Sequence, residues 1–250
     1  RELNDMGALL EQKDAWVAQQ LQLCGEFGVF EWFLPQELGG QAWSDVDVIR
    51  GYLKLSAACL TTTFVITQRT GACQRIAFSE NEWAKDTLLP DLIAGKSFAT
   101  VGISHLTTSR RHLAKPVLRA EEKNDGFVLD GFSPWVTGAP WAEHVVIGAT
   151  LDDGRQVLIA LPMDLPGVST PAPPTLVGLN ASQTGQVKLD NVFVDRKWLL
   201  AGPAENVMRS GVGAGTGGLQ TSTLAIGMAS GAIQYIFIEG QQRSDLVEPA

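Results

Sequence analysis

The sequence predicts an α+β multidomain chain with helices first, an antiparallel β-barrel or sandwich next, and one long helix last. Three observations carry this. Up to about Phe98, apolar residues recur at three- and four-residue spacing. Beyond it the chain breaks into short β-branched and aromatic runs separated by Gly, Pro, Asn and Asp. After a Gly-rich stretch, a helical pattern resumes through Leu219–Arg243.

In the first region Trp16, Val17, Gln20, Leu21 and Cys24 make one apolar stripe. Pro35 and Gly39-Gly40 then punctuate a loop. A second helix is expected over Asp45–Ala58, with Val46, Ile49, Leu53 and Ala57 on its inner face. A third covers Thr62–Phe78, and a fourth runs from Glu82 toward Ala94 with Pro90 kinking or splitting it. Strands are expected at Phe98–Ile103, Val117–Glu121, Phe127–Phe132, His144–Leu151, Gln156–Pro162, Gln186–Leu189 and Val192–Val194. Asn124-Asp125-Gly126 and Asp152-Asp153-Gly154 signal hairpins. Several short strands with turns at this spacing argue for a barrel or sandwich. The last helix carries Leu224, Ile226, Met228, Ile233, Ile236, Phe237 and Ile238 around much of its circumference, so it needs partners on several sides.

Bulk properties narrow the function. The 250-residue chain has 19 basic and 27 acidic side chains, a formal charge of −8. That balance opposes a nucleic-acid partner, which calls for a basic patch. No apolar run approaches the roughly 20 residues needed to span a bilayer, and no signal peptide is evident, so a cytoplasmic protein is expected. Cys24, Cys59 and Cys73 are widely spaced and odd in number, which suits small core residues. His105, His112 and His144 lack metal-ligand spacing. Gly213-Ala214-Gly215-Thr216-Gly217-Gly218 satisfies a dinucleotide fingerprint, but no buried strand precedes it, so a flexible connection is expected instead.

Five stretches together resemble the acyl-CoA dehydrogenase family. They are Leu34-Pro35-Gln36-Glu37-Leu38-Gly39-Gly40, Leu88-Leu89-Pro90-Asp91-Leu92-Ile93-Ala94-Gly95-Lys96, and Phe127-Val128-Leu129-Asp130-Gly131 followed by Trp135-Val136-Thr137. The fourth is Gly178-Leu179-Asn180-Ala181-Ser182-Gln183-Thr184 with Leu189-Asp190-Asn191-Val192-Phe193-Val194, and the fifth is Gly231-Ala232-Ile233 with Arg243. The resemblance implies an N-terminal helical domain over 1–97, a β-barrel domain over 98–204, and the start of a C-terminal four-helix bundle over 205–250. It also implies that the rest of the bundle follows residue 250.

The family chemistry implies bound FAD, an acyl-CoA substrate, α,β-dehydrogenation with hydride passing to flavin N5, and a place in fatty-acid metabolism. It further implies a homodimer or homotetramer and an electron-accepting flavoprotein as partner. A flavin needs an apolar ring contact and a hydrogen-bond donor near N5. Residues two apart on a strand share a face, so Trp135 and Thr137 are the expected flavin wall. Where relatives read T-E-P-x-x-G-S-D, this chain has Ser104-His105-Leu106-Thr107-Thr108-Ser109-Arg110-Arg111. Ser104 is expected to replace the threonine hydroxyl, and Ser109 (alternatively Thr108) the phosphate ligand. Arg110-Arg111 is either a phosphate contact or solvated loop surface. Arg243 aligns with an arginine that reaches the FAD pyrophosphate of a neighbouring subunit, a role suited to a guanidinium fork.

The chain also departs from the family. A family arginine is Asn180 here, and a basic residue ahead of the bundle is Gly218. Few cations remain for CoA phosphates, with Arg209, Arg110 and Arg111 as replacements. Two alternatives therefore stand beside the dehydrogenase: a flavin monooxygenase of the same fold acting on a small non-CoA substrate, and a non-catalytic flavin-binding subunit. The catalytic acid is expected beyond residue 250, and neither Glu239 nor Glu248 replaces it.

Overall fold

The computed structural model describes residues 2–12, 14–107, 116–209 and 218–243. Helices open the chain: α1 (Glu2–Asp5), α2 (Ala18–Glu26), α3 (Asp45–Ala58), α4 (Leu60–Ala77) and α5 (Glu82–Ile93). Ser44 caps α3 by accepting from the Asp47 amide at 3.3 Å. Only Cys59, in an extended conformation, separates α3 from α4. Helix α4 is buried on nearly every side, and its small and apolar residues suit that central place. Pro90 lies inside α5 without ending it.

The inner face of α3 differs from the expectation. Gly51, Tyr52 and Ser56 are buried, while Val46 is 56% exposed. A Cβ on Gly51 would sit 2.5 Å from Cζ3 of Trp32, so this helix turns a glycine to the indole and Tyr52 to the core. Close approach rather than apolar content selects the buried face.

The strands are β1 (Ala99–Gly102), β2 (Leu118–Lys123), β3 (Gly126–Val136), β4 (His144–Thr150), β5 (Gln156–Pro162), β6 (Val168–Ser169), β7 (Gly185–Asp195) and β8 (Leu199–Ala204). A short helix, α6 (Ser104–Thr107), follows β1. The sheet order is β6-β7-β3-β2-β4-β5-β8, with β1 beside β4. Both predicted hairpins form, between β2 and β3 and between β4 and β5. The expected antiparallel barrel is in fact a mixed, unclosed sheet, because β1 and β2 both run parallel to β4. The two short strands expected over 186–194 are one strand, β7, and β6 and β8 are additional to the expectation.

Both faces of the β4 region are covered. Val145, Ile147 and Ala149 join the core enclosed by the sheet, with Phe127, Leu129 and Ile159. Val146 and Leu158 face the other way and pack with Ala72, Ile76, Leu88 and Leu92 of α4 and α5. This two-sided burial explains why β4 reads as a continuous apolar run. Asn81 joins the two layers: its Oδ1 caps α5 at Ala84 N (2.9 Å), and its Nδ2 donates to Lys197 O (2.7 Å) and Leu199 O (2.8 Å).

The last helix, α7 (Gly218–Gln242), lies on α3 through two glycines. A Cβ on Gly227 would come within 1.9 Å of Ser56 Oγ, and one on Gly231 within 2.4 Å of Ala57 O. Leu224 is buried there, but Ile226, Ile233, Ile236, Phe237 and Ile238 are exposed. Leu219–Gln242 is long and apolar enough to cross a membrane by length and composition only, a test that the core helix of a soluble protein also passes; the sequence reading missed it because Thr, Ser, Gln and Gly interrupt the run. Its glycine face is committed to α3.

Candidate functional site

The site is built on the end of β3. Val136 is buried in the sheet core, and a register shift against β7 falls between Ser133 and Val136. Such an irregularity re-aims neighbouring side chains. Trp135 is 49% exposed, whereas Thr137 is 3% exposed. The Thr137 and Thr184 hydroxyls lie 3.0 Å apart, and Ser182 Oγ lies 2.8 Å from Thr184 Oγ1. Gly138 N donates to Ser182 O at 2.9 Å. Two motifs far apart in the chain thus share one set of hydrogen bonds. Gly138 has φ of 68°, and a Cβ there would meet Trp16 at 2.6 Å and Phe98 at 2.7 Å, so only glycine fits this turn.

Ser104 and Trp135 come together at one cleft. The two residues line a cleft of about 180 Å³ between α4, the β1–α6 segment, β3 and α7. From α4 come Thr67, Gln68, Gly71 and Arg75; Val101, Ile103 and Thr107 add to the wall, and Gln220 comes from α7. Thr137 does not line this cleft; it borders the 182–184 turn instead.

Among the described residues, four buried side-chain polar atoms make no hydrogen bond: Thr100 Oγ1, Ser104 Oγ, His105 Nδ1 and Ser133 Oγ. Buried polar groups in folded proteins are nearly always paired, so such a concentration on β1, α6 and β3 calls for a polar partner. A flavin fits the cleft's edge: an exposed indole offers a ring contact, and the Ser104 hydroxyl offers an unpaired donor and acceptor. His105 serves the sheet. Its Nε2 lies 2.7 Å from Gly148 O, where β4 changes partner from β1 to β2. With Nε2 donating to that carbonyl, burial holds the imidazole below its usual range, partly offset by the same hydrogen bond.

The remaining candidates are placed as follows. Ser109, with Thr108, Arg110 and Arg111, lies outside the described residues, as does Glu248. Arg243 is exposed just past α7, its amide donating to Glu239 O at 3.0 Å. Asn180 closes a local turn with Leu176 rather than reaching the cleft. The cysteines are free; burial pushes Cys24 up to about 12 and also raises Cys73, so neither is a ready nucleophile. No group of His, Cys, Asp or Glu suited to a metal occurs among the described residues.

Sequence reasoning missed the α4 wall. Thr67 and Arg75 flank Gly71 at four-residue spacing, two polar side chains around a glycine on one face of a buried helix, and that pattern was the available signal. Arg75 is buried in the wall, with Nη1 donating to Gly71 O at 2.8 Å.

No protein-family model matches the chain. A probable acyl-CoA dehydrogenase of Bacillus subtilis (strain 168) is 24% identical over 247 residues, covering 96% of this chain and 64% of its own length. Glutaryl-CoA dehydrogenase of Desulfococcus multivorans is 26% identical over 190 residues, covering 72% of this chain and 48% of its own length. The chain therefore spans less than two thirds of either relative. Among solved structures, butyryl-CoA dehydrogenase from Megasphaera elsdenii superposes with a TM-score of 0.82 at 15% identity, over 97% of this chain and 66% of that one. An acyl-CoA dehydrogenase complexed with FAD from Bacillus anthracis gives 0.76 at 22% identity, over 90% and 40%. Curated and solved neighbours thus agree in naming acyl-CoA dehydrogenases, as the five motifs implied, and the fold is theirs.

Proposed function

We propose that this chain, which has the acyl-CoA dehydrogenase fold, is the flavin-holding part of an FAD-dependent oxidoreductase that desaturates an acyl thioester between Cα and Cβ. The observation that carries the reading is the pairing of an exposed Trp135 with an unpaired Ser104 hydroxyl at one cleft on this fold.

When bound, FAD supplies the ring that accepts hydride. Trp135 would cover an apolar part of that ring, a contact worth roughly 0.5–1.5 kcal/mol beyond area burial. Ser104 would offer its hydroxyl to the ring's polar edge, and Thr137, held by Thr184 outside this cleft, would reach N5 where the ring extends past Trp135 toward the 182–184 turn. Ser109 is assigned to the pyrophosphate, and Arg243 to that of a neighbouring subunit, which makes the active form at least a dimer. No carboxylate lines the cleft among the described residues, so the acid that removes the α-proton is assigned to none of them. Electrons leave to a second flavoprotein.

The test is direct. Purified protein should be yellow, and acyl-CoA added under nitrogen should bleach it. A colourless protein that does not take up FAD contradicts the reading. A yellow protein that no thioester bleaches, but whose reduced form reacts rapidly with oxygen, points to monooxygenase chemistry instead.

A further inference from the structure

Three hydroxyls form a line that ends at Thr137. Ser182 Oγ lies 2.8 Å from Thr184 Oγ1, which lies 3.0 Å from Thr137 Oγ1. The turn that carries the first two is held from three directions. Ser182 O accepts from Gly138 N at 2.9 Å, Gln183 Nε2 donates to Ala15 O at 2.9 Å, and Ala181 packs with Val17 and Val65. Leu179 and Gln183, with φ of 64° and 48°, take a left-handed conformation that residues with side chains seldom adopt. Strain of this kind persists only where the surroundings over-determine it.

Counting protons gives the line a direction. Each hydroxyl has one proton to donate. Ser182 is fully buried, and Thr184 Oγ1 is the one partner of its Oγ among the described residues. Were Thr184 the donor, the Ser182 proton would be buried without an acceptor, a state that folded proteins avoid. Ser182 is therefore the donor, which leaves the Thr184 proton free for Thr137. Thr137 is also buried, and Thr184 Oγ1 is likewise its hydroxyl's one partner among the described residues. With an acceptor beyond Thr137, every bond in the line is kept only if Thr184 donates and Thr137 turns its own proton outward. Hydrogen bonds in series then strengthen one another.

We infer that Thr184 is a positioning residue: backed by Ser182, it orders the Thr137 proton toward the flavin. The inference rests on the proposed function for the flavin and adds to it two hydroxyls that act through Thr137.

The experiment is a double-mutant cycle on the purified full chain, with Thr137→Val, Thr184→Val and the two combined. FAD affinity is read by fluorescence titration, and the midpoint potential of the bound flavin by dye-coupled reduction. Thr184→Val is expected to weaken FAD binding several-fold, up to about the tenfold of Thr137→Val, and the combined variant to lose little more. The potential should move in the same direction in all three. Thr184→Ser keeps the hydroxyl and should bind FAD within about twofold of wild type. Ser182→Ala should lose about two- to threefold, and nothing further in the Thr137→Val background.

Losses that add, or a Thr184→Val protein whose affinity and potential match wild type, overturn the inference. So does a loss that Thr184→Ser fails to restore, because packing rather than the hydroxyl is then at work. If Thr184→Val does not fold, the cycle of Ser182→Ala with Thr137→Val decides. A wild-type chain that takes up no FAD overturns the proposed function and this inference with it; FAD uptake that is insensitive to Thr184 overturns this inference alone.

Discussion

The hydroxyls of Thr137 and Thr184 lie 3.0 Å apart, joining the turn after β3 to the segment that enters β7. Thr137→Val keeps the shape and removes one hydroxyl. Because Thr184 retains Ser182 at 2.8 Å, the cost in stability is expected to be only about 0.5–1.5 kcal/mol. FAD affinity is expected to fall by about tenfold, the equivalent of one hydrogen bond. Thermal denaturation and a flavin titration read the two effects separately.

His105 makes stability depend on pH. Its folded pKa is held below the unfolded value of about 6.5, so the unfolded chain binds the extra proton. Stability is therefore full above that value and declines as pH falls beneath it. His144 is also held low, chiefly by burial, with Glu143 and Asp164 opposing, and adds to the same acid limb. Urea denaturation across this range is expected to show the slope, with His105→Gln flattening part of it. An unchanged slope contradicts the assignment.

Arg69 holds the end of α5. Its Nη2 donates to Leu92 O in the helix's last turn, and its guanidinium carbon lies 3.6 Å from the Phe30 ring centroid. Terminal helix carbonyls lack helical donors, and a cation there also meets the favourable end of the dipole. Arg69→Met removes a charged donor from Leu92 O, leaving it the Gly95 amide at 3.2 Å, and ends the ring contact, so a loss of about 1–3 kcal/mol is expected from chemical denaturation.

The α3–α7 contact depends on glycine. Gly231→Val would drive a side chain into Ala57 O, which a bare Cβ already approaches to 2.4 Å. Helix α7 is expected to detach, becoming accessible to limited proteolysis, while the sheet's urea midpoint changes little because its core is separate.

What the sequence disclosed follows the physics of each element. Helix α3 and strand β5 have the expected bounds because a capping serine and hairpin signals are local. The α3 face was misread because a non-local neighbour, Trp32, determines it. The mixed sheet direction was hidden for the same reason: parallel pairing of β1 and β2 with β4 leaves no local signature. In the site, Trp135 and Ser104 were legible from motifs, and the structure places them on one cleft. The α4 contribution was not, since Thr67, Gln68 and Arg75 gain meaning only when α4 packs beside β1.

The most direct test of the flavin wall is a crystal structure of the protein soaked with FAD. The isoalloxazine is expected beside the Trp135 indole, with Ser104 Oγ at its pyrimidine edge and Thr137 Oγ1 within hydrogen-bonding distance of N5. A ring bound elsewhere, or one that leaves Trp135 in solvent and Ser104 unpaired, would contradict the account.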